Sequence, residues 1–321
     1  MAALSASCLV GPVPFKDVAT AVDGHSSTPE EYEDIVSGLP SSTALGMVLR
    51  QYRGSWVIQE RVTAFISLQR RFTPRPGDVL LASPAKCGTT WLKALAFATM
   101  ARGAYPPTDA QHPLLRMNPH ECVPFMDELF TAGQDARLEA LPSPRLMHTH
   151  MHHSLLPASV TDNPDCKIVF ICRDPKDMLV SLWHFVKGVR PFTFDDLFNS
   201  ACEGKTPNGP IWDHLIGYWS TSKTSPDNVL FRYEEMLIDP VGHVRELARF
   251  IGQPFSHADE AAGIPADIVK LCSFDKLKGQ GANTAGSYDG KVFSFAHETF
   301  FRKGVAGDWV NNIDARDGAT L

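Results

Sequence analysis

The sequence lacks several features that would place it in a specialised class of protein. No stretch has 18 or more uninterrupted apolar residues, so no membrane-spanning helix is predicted. The first residues, MAALSASCLVGPVPFKD, lack the basic start and sustained apolar stretch of a secretory signal. The seven cysteines are scattered and form no CxxC pair, which disfavours a disulfide scaffold or a zinc ribbon. These absences predict a cytoplasmic protein with reduced thiols.

An excess of positive charge is also lacking. The chain has 30 Lys and Arg against 36 Asp and Glu, a net charge of −6. This balance disfavours a broad surface for nucleic acid or anionic membrane, so neither is expected as a partner. A local basic pocket is still compatible with it, because net charge does not describe one site. Hydrophobic residues make up 44% of the 321 residues, enough for a sizeable core.

The residue pattern divides the chain into one long unit with two short ends. Residues 1–44 are rich in Ser, Thr, Pro and small residues, which predicts a flexible N-terminal arm. Residues 45–310 are densely patterned and contain no linker or internal repeat, so we expect a single domain. Residues 311–321 are interpreted as a short C-terminal tail.

Three short apolar runs predict buried strands: VLLA at 79–82, KIVFIC at 167–172 and NVLF at 228–231. Each is followed by a polar hinge and then by helical periodicity. Strands that alternate with helices indicate the α/β class, with a central, mainly parallel sheet flanked by helices. Ligands of such sheets lie beyond the carboxyl ends of the strands. The polar hinges lie at that edge and are the first candidates for a binding site.

The first hinge lies in the segment SPAKCGTTWLKALAF, residues 83–97. Gly88 allows close approach of an anion to the backbone, and the start of the following helix offers unpaired N–H groups. Thr89 and Thr90 can cap the helix or donate hydroxyl groups, and Lys86 adds a full charge. The loop is P-loop-like but is not GxxxxGK[ST], since the Lys precedes the Gly. A capped strand–helix turn with an incidental lysine is the alternative.

Two further basic clusters could hold anionic groups. Arg173 directly follows the second strand, and Ser181 lies two helical turns later on roughly the same face. Near the C-terminus, FFRKGVAGDW places Arg302 and Lys303 beside the flexible Gly304. Each cluster alone could be a solvated surface feature. Together with the loop they imply a ligand with several anionic groups.

A histidine-rich segment, HTHMHHSLLP, offers another kind of chemistry. In an extended strand, His148, His150 and His152 would share one face, which is one pattern of zinc ligands. No acidic or Cys ligand accompanies them, and Pro157 soon ends the run. A single histidine acting as a general base is the favoured interpretation, because imidazole titrates near neutral pH.

Taken together, the motifs resemble those of the cytosolic sulfotransferases, specifically the plant soluble type. The resemblance extends from Tyr52 to Trp309, with the motifs in the family's order. The matching segments are KCGTTWLKALAF (86–97), HPLLRMNPHECVPF (112–125), PRLMHTH (144–150), RDPKDMLVSLWHF (173–185), GPIWDHLIGYW (209–219), YEEMLIDP (233–240) and FRKGVAGDW (301–309).

The resemblance implies the donor 3′-phosphoadenylyl sulfate (PAPS), held without a metal, and a P-loop-like phosphosulfate loop. It implies that His150 is the catalytic base and that Lys86 stabilises the leaving group. The resemblance implies donor-binding roles for a larger set of residues: Lys86, Cys87, Gly88, Thr89, Thr90, Trp91, Arg173, Ser181, Tyr233, Phe274, Arg302, Lys303 and Gly304.

The implied acceptor is a hydroxyl of a small, mostly apolar molecule, such as a flavonoid, brassinosteroid, hydroxyjasmonate or phenolic. We expect its pocket to draw on Phe125, Phe185, Trp56 and His153. Two alternatives remain at this point. One is a nucleotide-binding family member with weak catalysis that acts as a binding protein. The other is a small-molecule kinase, which the missing GxxxxGK[ST] disfavours.

Three departures from the family pattern raise expectations of their own. Pro84 and Ala85 stand where the family usually has an aromatic residue and Pro, so the geometry leading into the loop is open. The segment NVLFRYEEM is one residue short, which would displace Tyr233 unless a bulge absorbs the slip. The chain also ends soon after GDW, where animal relatives continue into a dimerisation segment, and this favours a monomer over a dimer.

Overall fold

The protein is described here by a computed structural model that covers residues 11–18 and 32–313. Its strands are β1 (Ser41–Ala44), β2 (Met47–Tyr52), β3 (Ser55–Ile58), β4 (Val79–Ala82), β5 (Leu146–Thr149), β6 (Lys167–Cys172), β7 (Asn228–Arg232), β8 (Ser287–Asp289) and β9 (Ser294–Ala296). Short 3₁₀-helices are found at Phe15–Asp17, Pro113–Leu115, His153–Leu155, His297–Phe300 and Asp308–Asn311.

The α-helices surround these strands and vary in length from one turn to almost four. In chain order they are α1 (Glu33–Gly38), α2 (Gln59–Arg71), α3 (Thr89–Met100), α4 (Pro119–Cys122), α5 (Met126–Thr131), α6 (Ala136–Glu139), α7 (Ala158–Thr161), α8 (Pro175–Val186), α9 (Phe194–Cys202), α10 (Ile211–Thr224), α11 (Tyr233–Ile238), α12 (Pro240–Phe250), α13 (His257–Ala261), α14 (Ile264–Leu271), α15 (Phe274–Lys278) and α16 (Gly281–Thr284). Within the described residues, no helix is long and apolar enough to cross a bilayer.

A parallel sheet of four strands forms the centre, in the order β5-β4-β6-β7. Val79 of β4 lies opposite Leu146 of β5 and opposite Lys167 of β6. The sheet confirms the predicted α/β class and the three predicted strands. All four residues of β4 are buried because helices cover both faces, which explains its uninterrupted apolar sequence.

Alternate residues of the strands supply two separate cores. Leu81 and Val169 point to the side where α3, α12 and α14 pack. Leu80 and Phe170 point to the opposite side, where they pack with residues of α2 and α10. This alternation follows from the two-residue period of a strand and fixes the register of the sheet.

The structure corrects the prediction of a flexible arm for part of residues 1–44. Phe15 and Tyr32 are buried in one core, and α1 and β1 lie within the same range. Strand β1 pairs with β2, which pairs with β3, in an antiparallel sheet that the sequence analysis did not predict. The rest of the predicted arm and residues 314–321 of the predicted tail lie outside the described residues. The domain limits at 45 and 310 therefore stay a prediction.

The expected displacement of Tyr233 does not occur. Strands β6 and β7 pair residue for residue, from Ile168 opposite Asn228 to Cys172 opposite Arg232, without a bulge. Helix α11 begins at Tyr233 immediately after β7. The connections after β4, β6 and β7 therefore all leave the same edge of the sheet.

Candidate active site

The loop between β4 and α3 is shaped by two residues with left-handed backbone. Gly88 has φ +100° and caps α3, and Lys86 has φ +68°. A Cβ atom at position 88 would lie 2.7 Å from Cδ2 of Tyr233, so only glycine lets the tyrosine ring approach this closely. A left-handed lysine costs about 1–2 kcal/mol, and such strain is concentrated at functional sites. The sequence did not predict the geometry of the turn that begins at Pro84 and Ala85. In the structure it is a tight turn, closed by a hydrogen bond from Cys87 N to Pro84 O.

A cavity of about 200 Å³ opens above this loop, and we call it the donor cavity. Its walls bring together predicted residues from six separate parts of the chain: Lys86, Gly88, Thr89, Thr90, Trp91, His150, Arg173, Ser181, Tyr233, Phe274, Arg302, Lys303 and Gly304. Cys87, which was also predicted, does not line it. The Cys87 side chain is fully buried against Met178 and Leu179 of α8, on the other side of the loop.

The cations of the donor cavity are held in place by carboxylates and carbonyls. Arg173 donates to Val305 O at 2.7 Å and lies 3.4 Å from Asp177. Arg302 and Lys303 both donate to Asp308, at 2.6 and 2.7 Å. These contacts hold the segment after Phe301 against α8. The guanidinium groups are therefore oriented without a ligand.

Several polar donors along the donor cavity have no partner within the described residues. They are Nε of Arg173, Nε of Arg302 and the indole Nε1 of Trp91, all of them buried. Buried donors are normally satisfied, so these three indicate that a ligand completes the site. Tyr233 and Trp91 form an edge-to-face pair at 5.9 Å, and Phe274 packs so closely that a Cβ on Gly304 would lie 2.5 Å from its ring. Cations beside aromatic rings fit a nucleotide that carries phosphate groups.

Lys86 lines this cavity, and its surroundings shift the pKa of its amine. Its Nζ atom lies 3.8 Å from the ring centroid of Phe185. Burial, reinforced by the nearby charges of Arg173 and Arg302, lowers the pKa of Lys86 to about 7. A bound anion would oppose all three effects and favour the protonated amine.

A second cavity of about 190 Å³ adjoins the first, and we call it the acceptor cavity. The two cavities share wall residues: Ala85, His120, His150, Phe185 and Phe300. The acceptor cavity is mostly apolar and is closed by residues from the β1–β2 turn, α8 and the β8–β9 hairpin, such as Leu45, Leu182 and Phe293. Phe125 and Phe185 line it, as the sequence analysis predicted. Trp56 and His153 do not.

His150 lies where the two cavities meet. Its Nδ1 atom is 2.7 Å from the carbonyl oxygen of Ser83, which can only accept, so Nδ1 carries the proton. The other nitrogen, Nε2, is then an unprotonated acceptor and bonds to none of the described residues. Burial lowers the pKa of His150 to about 3, despite the opposing effect of the Ser83 carbonyl. The ring is therefore neutral at physiological pH, with Nε2 as its unprotonated nitrogen.

Buried polar residues next to His150 hold it in position. Asp127, which is fully buried, accepts hydrogen bonds from the backbone N–H of His150 at 3.1 Å and from the hydroxyl of Thr149 at 2.5 Å. Burial raises the pKa of Asp127 to about 6 and lowers that of the neighbouring Lys93 to about 7. Asp127 fixes the turn after β5 and hence the position of the imidazole ring.

Sequence reasoning missed one prominent residue of this site, His120. Its Nε2 is 3.0 Å from the hydroxyl of Thr90, its Nδ1 is 3.1 Å from Nζ of Lys93, and its ring stacks on Phe300 at 4.2 Å. His120 lies in the matched segment HPLLRMNPHECVPF, and this membership could have indicated it, but the sequence analysis assigned no role to that segment. His120 forms part of the wall between the cavities, with both ring nitrogens facing protein groups.

The histidine run does not share one face as an extended strand would require. Strand β5 ends at Thr149, so His150 turns to Ser83, whereas His152 bonds the carbonyl of Asn208 at 2.7 Å. His148 is buried beside the rings of Phe125 and His150. Across residues 11–18 and 32–313, no group of three or more His, Cys, Asp or Glu side chains is arranged to hold a metal ion.

Comparison with known proteins gives a consistent result. Residues 76–320 match the sulfotransferase domain family. The chain is 40% identical to cytosolic sulfotransferase 8 of Arabidopsis thaliana, over 87% of this chain and 85% of the relative. It is 38% identical to flavonol 3-sulfotransferase of Flaveria bidentis, over 87% of this chain and 91% of the relative.

Solved structures show the same fold. A crystal structure of an Arabidopsis thaliana sulphotransferase superposes with a TM-score of 0.69 at 36% identity, covering 81% of this chain and 91% of the other. A mouse sulfotransferase complexed with PAP (3′-phosphoadenosine 5′-phosphate) gives a TM-score of 0.64 at 25% identity, covering 84% of this chain and 91% of the other. With two adjoining cavities, a loop lysine and a neutral histidine between them, the chain belongs to the sulfotransferase family and, within it, to the plant cytosolic sulfotransferases.

Proposed function

We propose that the protein transfers the sulfuryl group of PAPS to a hydroxyl of a small, mostly apolar acceptor, with His150 as general base and Lys86 stabilising the leaving group. PAPS-dependent sulfation is the activity of the family. The observation that carries the finer proposal is the position of His150, whose free Nε2 lies where the donor and acceptor cavities meet. A base needs to reach the acceptor hydroxyl where that hydroxyl meets the reacting sulfur. Among the described wall residues, only His150 lines both cavities and has a free imidazole nitrogen.

On the donor side, the charged and aromatic groups already described would hold the nucleotide. Arg173, Ser181 and the pair Arg302–Lys303 suit a phosphate, and their orientation by Asp177 and Asp308 supports this role. Tyr233, Trp91 and Phe274 offer ring faces for the adenine. Backbone N–H groups at the start of α3 suit the phosphosulfate end. Because the Cys87 thiol is buried elsewhere, the part proposed for Cys87 is confined to its backbone.

The chemistry follows from these positions. PAPS supplies the sulfuryl group, and the acceptor oxygen forms a new S–O bond as the S–O bond to the nucleotide breaks. His150 takes the hydroxyl proton at Nε2, and the resulting imidazolium is stabilised by its Nδ1–H bond to Ser83 O. Protonated Lys86 and the helix N–H groups stabilise the negative charge that grows on the departing phosphate oxygen. These residues perform the step without a bound metal ion.

The remaining parts of the proposal concern the setting of the enzyme. Its relatives are named cytosolic sulfotransferases, which supports a cytoplasmic location. The net charge of −6 supports a small-molecule acceptor and not nucleic acid or membrane as partner. We also propose that the chain is a monomer, and light scattering of the purified protein at micromolar concentration should give a mass near 35.3 kDa.

The experiment that tests the activity uses radiolabelled PAPS and a panel of hydroxylated acceptors: flavonoids, brassinosteroids, hydroxyjasmonates and phenolics. We expect labelled sulfate to pass to at least one acceptor. Lys86→Ala should lower the rate by about 100- to 1000-fold, the usual effect of losing one such electrostatic donor. Lys223→Ala, at an exposed lysine in the last turn of α10, is the matched control.

Two outcomes would contradict this proposal and favour one of the alternatives. Binding of 3′-phosphoadenosine 5′-phosphate (PAP) without transfer to any acceptor would support the binding-protein alternative. Transfer of a phosphoryl group from ATP would support the kinase alternative.

A further inference from the structure

Among the described residues that line the acceptor cavity, two carry a guanidinium group and none carries a carboxylate. These two, Arg61 and Arg190, are the only wall residues described that are charged at every physiological pH. The other wall residues are apolar, aromatic, neutral imidazole or amide groups. A cation in such surroundings is poorly solvated, so it favours an anionic partner.

Arg61 is nine-tenths buried and is only partly neutralised. Its Nη2 atom donates to Glu128 at 3.0 Å, whereas its Nε atom is buried without a partner in the described part of the chain. Glu128 lies outside the cavity lining and also accepts a hydrogen bond from the backbone N–H of Lys291. The guanidinium therefore keeps unused donors beside the cavity.

Arg190 has no carboxylate partner in residues 11–18 and 32–313. Its guanidinium carbon lies 5.4 Å from the ring centroid of Phe293, and that of Arg61 lies 6.0 Å from the same ring. Both cations thus converge on one aromatic side chain of the acceptor cavity. An interaction with an aromatic face compensates only part of the lost hydration of a charge. The ion pair with Glu128 explains the position of the Nη2 atom of Arg61. No such pair explains why Arg190 lies at this cavity.

Phe125, another wall residue of the acceptor cavity, lies beside both His150 and Arg61. The centroid of Phe125 is 5.1 Å from the His150 ring and 5.6 Å from the guanidinium carbon of Arg61. A molecule that places a hydroxyl at His150 could therefore place a second group beside Arg61 and Arg190. Neither arginine lines the donor cavity, so the phosphates of the donor are not their partner.

We propose that the acceptor is a hydroxy acid: a small aromatic or alicyclic molecule that carries a carboxylate in addition to the hydroxyl that is sulfated. This inference rests on the proposed sulfotransferase activity and specifies its substrate class. Arg61 and Arg190 bind the carboxylate, and the aromatic wall packs against the ring. Planar guanidinium groups suit a carboxylate because they can donate two parallel hydrogen bonds.

The test compares hydroxyphenyl-substituted carboxylic acids with their own methyl esters as acceptors. We expect the wild-type protein to give a kcat/KM at least about tenfold higher for the acid, mainly through KM. In Arg190→Gln the ratio of acid to ester should fall about 10- to 100-fold, and Arg190→Lys should retain part of it. Arg245→Gln, at a surface arginine that pairs with Glu260, should leave the ratio unchanged.

Arg61 requires a paired change because removing it alone would strand Glu128 as a buried charge. The double variant Arg61→Met/Glu128→Gln should also lower the acid-to-ester ratio, with a melting temperature close to that of the wild type. A ratio unchanged in both this variant and Arg190→Gln would overturn the proposal. So would a wild-type preference for the ester over the acid.

A binding measurement separates this proposal from the proposed activity. Calorimetry of the acid against PAP-loaded protein should show binding that weakens in Arg190→Gln, even where no sulfate is transferred. Binding of the acid without transfer would contradict the catalytic proposal and support the acceptor class. Transfer to neutral phenols, with no binding of the acid, would support the activity and overturn the acceptor class.

Discussion

At the scale of single residues, the site depends on the protonation states of one lysine and one histidine. The loop lysine is useful only while it is charged, yet burial lowers the pKa of Lys86 to about 7 in the ligand-free protein. The histidine must be neutral to act as a base, and the low pKa of His150 meets this need. Both properties follow mainly from burial, which leaves the charged forms of the two side chains poorly solvated.

PAP affinity should therefore depend on pH in a way that identifies Lys86. An anion binds better to the protonated amine, so the bound pKa is higher than 7 and binding takes up a proton above that pH. The contribution of Lys86 to affinity should be complete below pH 7, and affinity should fall by up to about tenfold per unit as the pH rises from 7 towards 9. Titration calorimetry in two buffers of different ionisation enthalpy would measure both the affinity and the proton uptake.

Lys86→Arg is the matched control for this dependence. Arginine stays charged across this range, so its PAP affinity should be nearly flat between pH 7 and pH 9. Lys86→Ala should bind more weakly at all of these pH values. An equal decline in the wild type and Lys86→Arg would assign the titration to another group, such as Lys93, whose pKa burial also lowers to about 7.

Most of the residues named from the motifs line the donor cavity, because they belong to short contiguous segments beside the edge of the parallel sheet. The Lys86–Trp91 loop can be recognised in the sequence because a glycine and hydroxyl residues lie between a predicted strand and a predicted helix. The buried position of Cys87 was not predictable, because the motif does not show which side chains of a loop point inwards. His120 was missed for a related reason: its partners Thr90 and Lys93 are 30 and 27 residues away.

At the scale of elements, the donor cavity is closed by contacts between α8 and the segment after Phe301. Asp177 of α8 accepts from the backbone N–H groups of Gly307 and Trp309, at 2.6 and 2.9 Å, and its side chain is 1% exposed. The same carboxylate lies 3.4 Å from Arg173. One buried acid thus links two of the proposed phosphate-binding groups.

Asp177→Ala should weaken PAP binding although Asp177 is not in the cavity lining. It would leave two partly buried N–H groups without their acceptor, at a cost of up to about 3 kcal/mol each, and would free Arg173 to move. We expect PAP affinity to fall at least tenfold, with a lower melting temperature in the absence of ligand. Asp177→Asn keeps the shape and one acceptor, and should have a smaller effect. Unchanged affinity in Asp177→Ala would show that α8 and the C-terminal segment bind independently.

The elements that sequence reasoning predicted are those with uninterrupted apolar character. Strands β4 and β6 are largely buried by helices and β7 is partly buried, and all three read as short hydrophobic runs. The antiparallel sheet β1–β3 was missed because its partly exposed strands, such as the SSTA of β1, carry no such run. Strands β8 and β9 have three residues each, too few for a recognisable period.

At the scale of the whole molecule, the two cavities differ in how widely their walls are distributed. The donor cavity follows the edge of the parallel sheet, where a general rule of α/β proteins already places a ligand. The acceptor cavity is assembled from the first antiparallel sheet, α8, the loop that follows it and the β8–β9 hairpin. Its residues are far apart in the chain and most of them lie outside the matched motifs, so only Phe125 and Phe185 were predicted for its wall.

Ligand binding should be visible as a change in global stability. At about 100 times its dissociation constant, PAP should add about 2.7 kcal/mol to the free energy of unfolding and raise the melting temperature measured by calorimetry. Adenosine lacks the phosphates and should give little shift, and ATP, which has no 3′-phosphate, should give less than PAP. The shift should largely disappear in the double variant Arg173→Ala/Arg302→Ala. A larger effect of ATP than of PAP would contradict the assignment of the donor cavity.

The most direct test of the account separates binding from chemistry at the junction of the two cavities. His150→Ala should lower the transfer of labelled sulfate by at least about 100-fold, because the acceptor hydroxyl then has no base. PAP affinity and the melting temperature should stay close to those of the wild type, since the cations that hold the nucleotide are unchanged. A rate within a few-fold of the wild type in His150→Ala would contradict the assignment of His150 as the base.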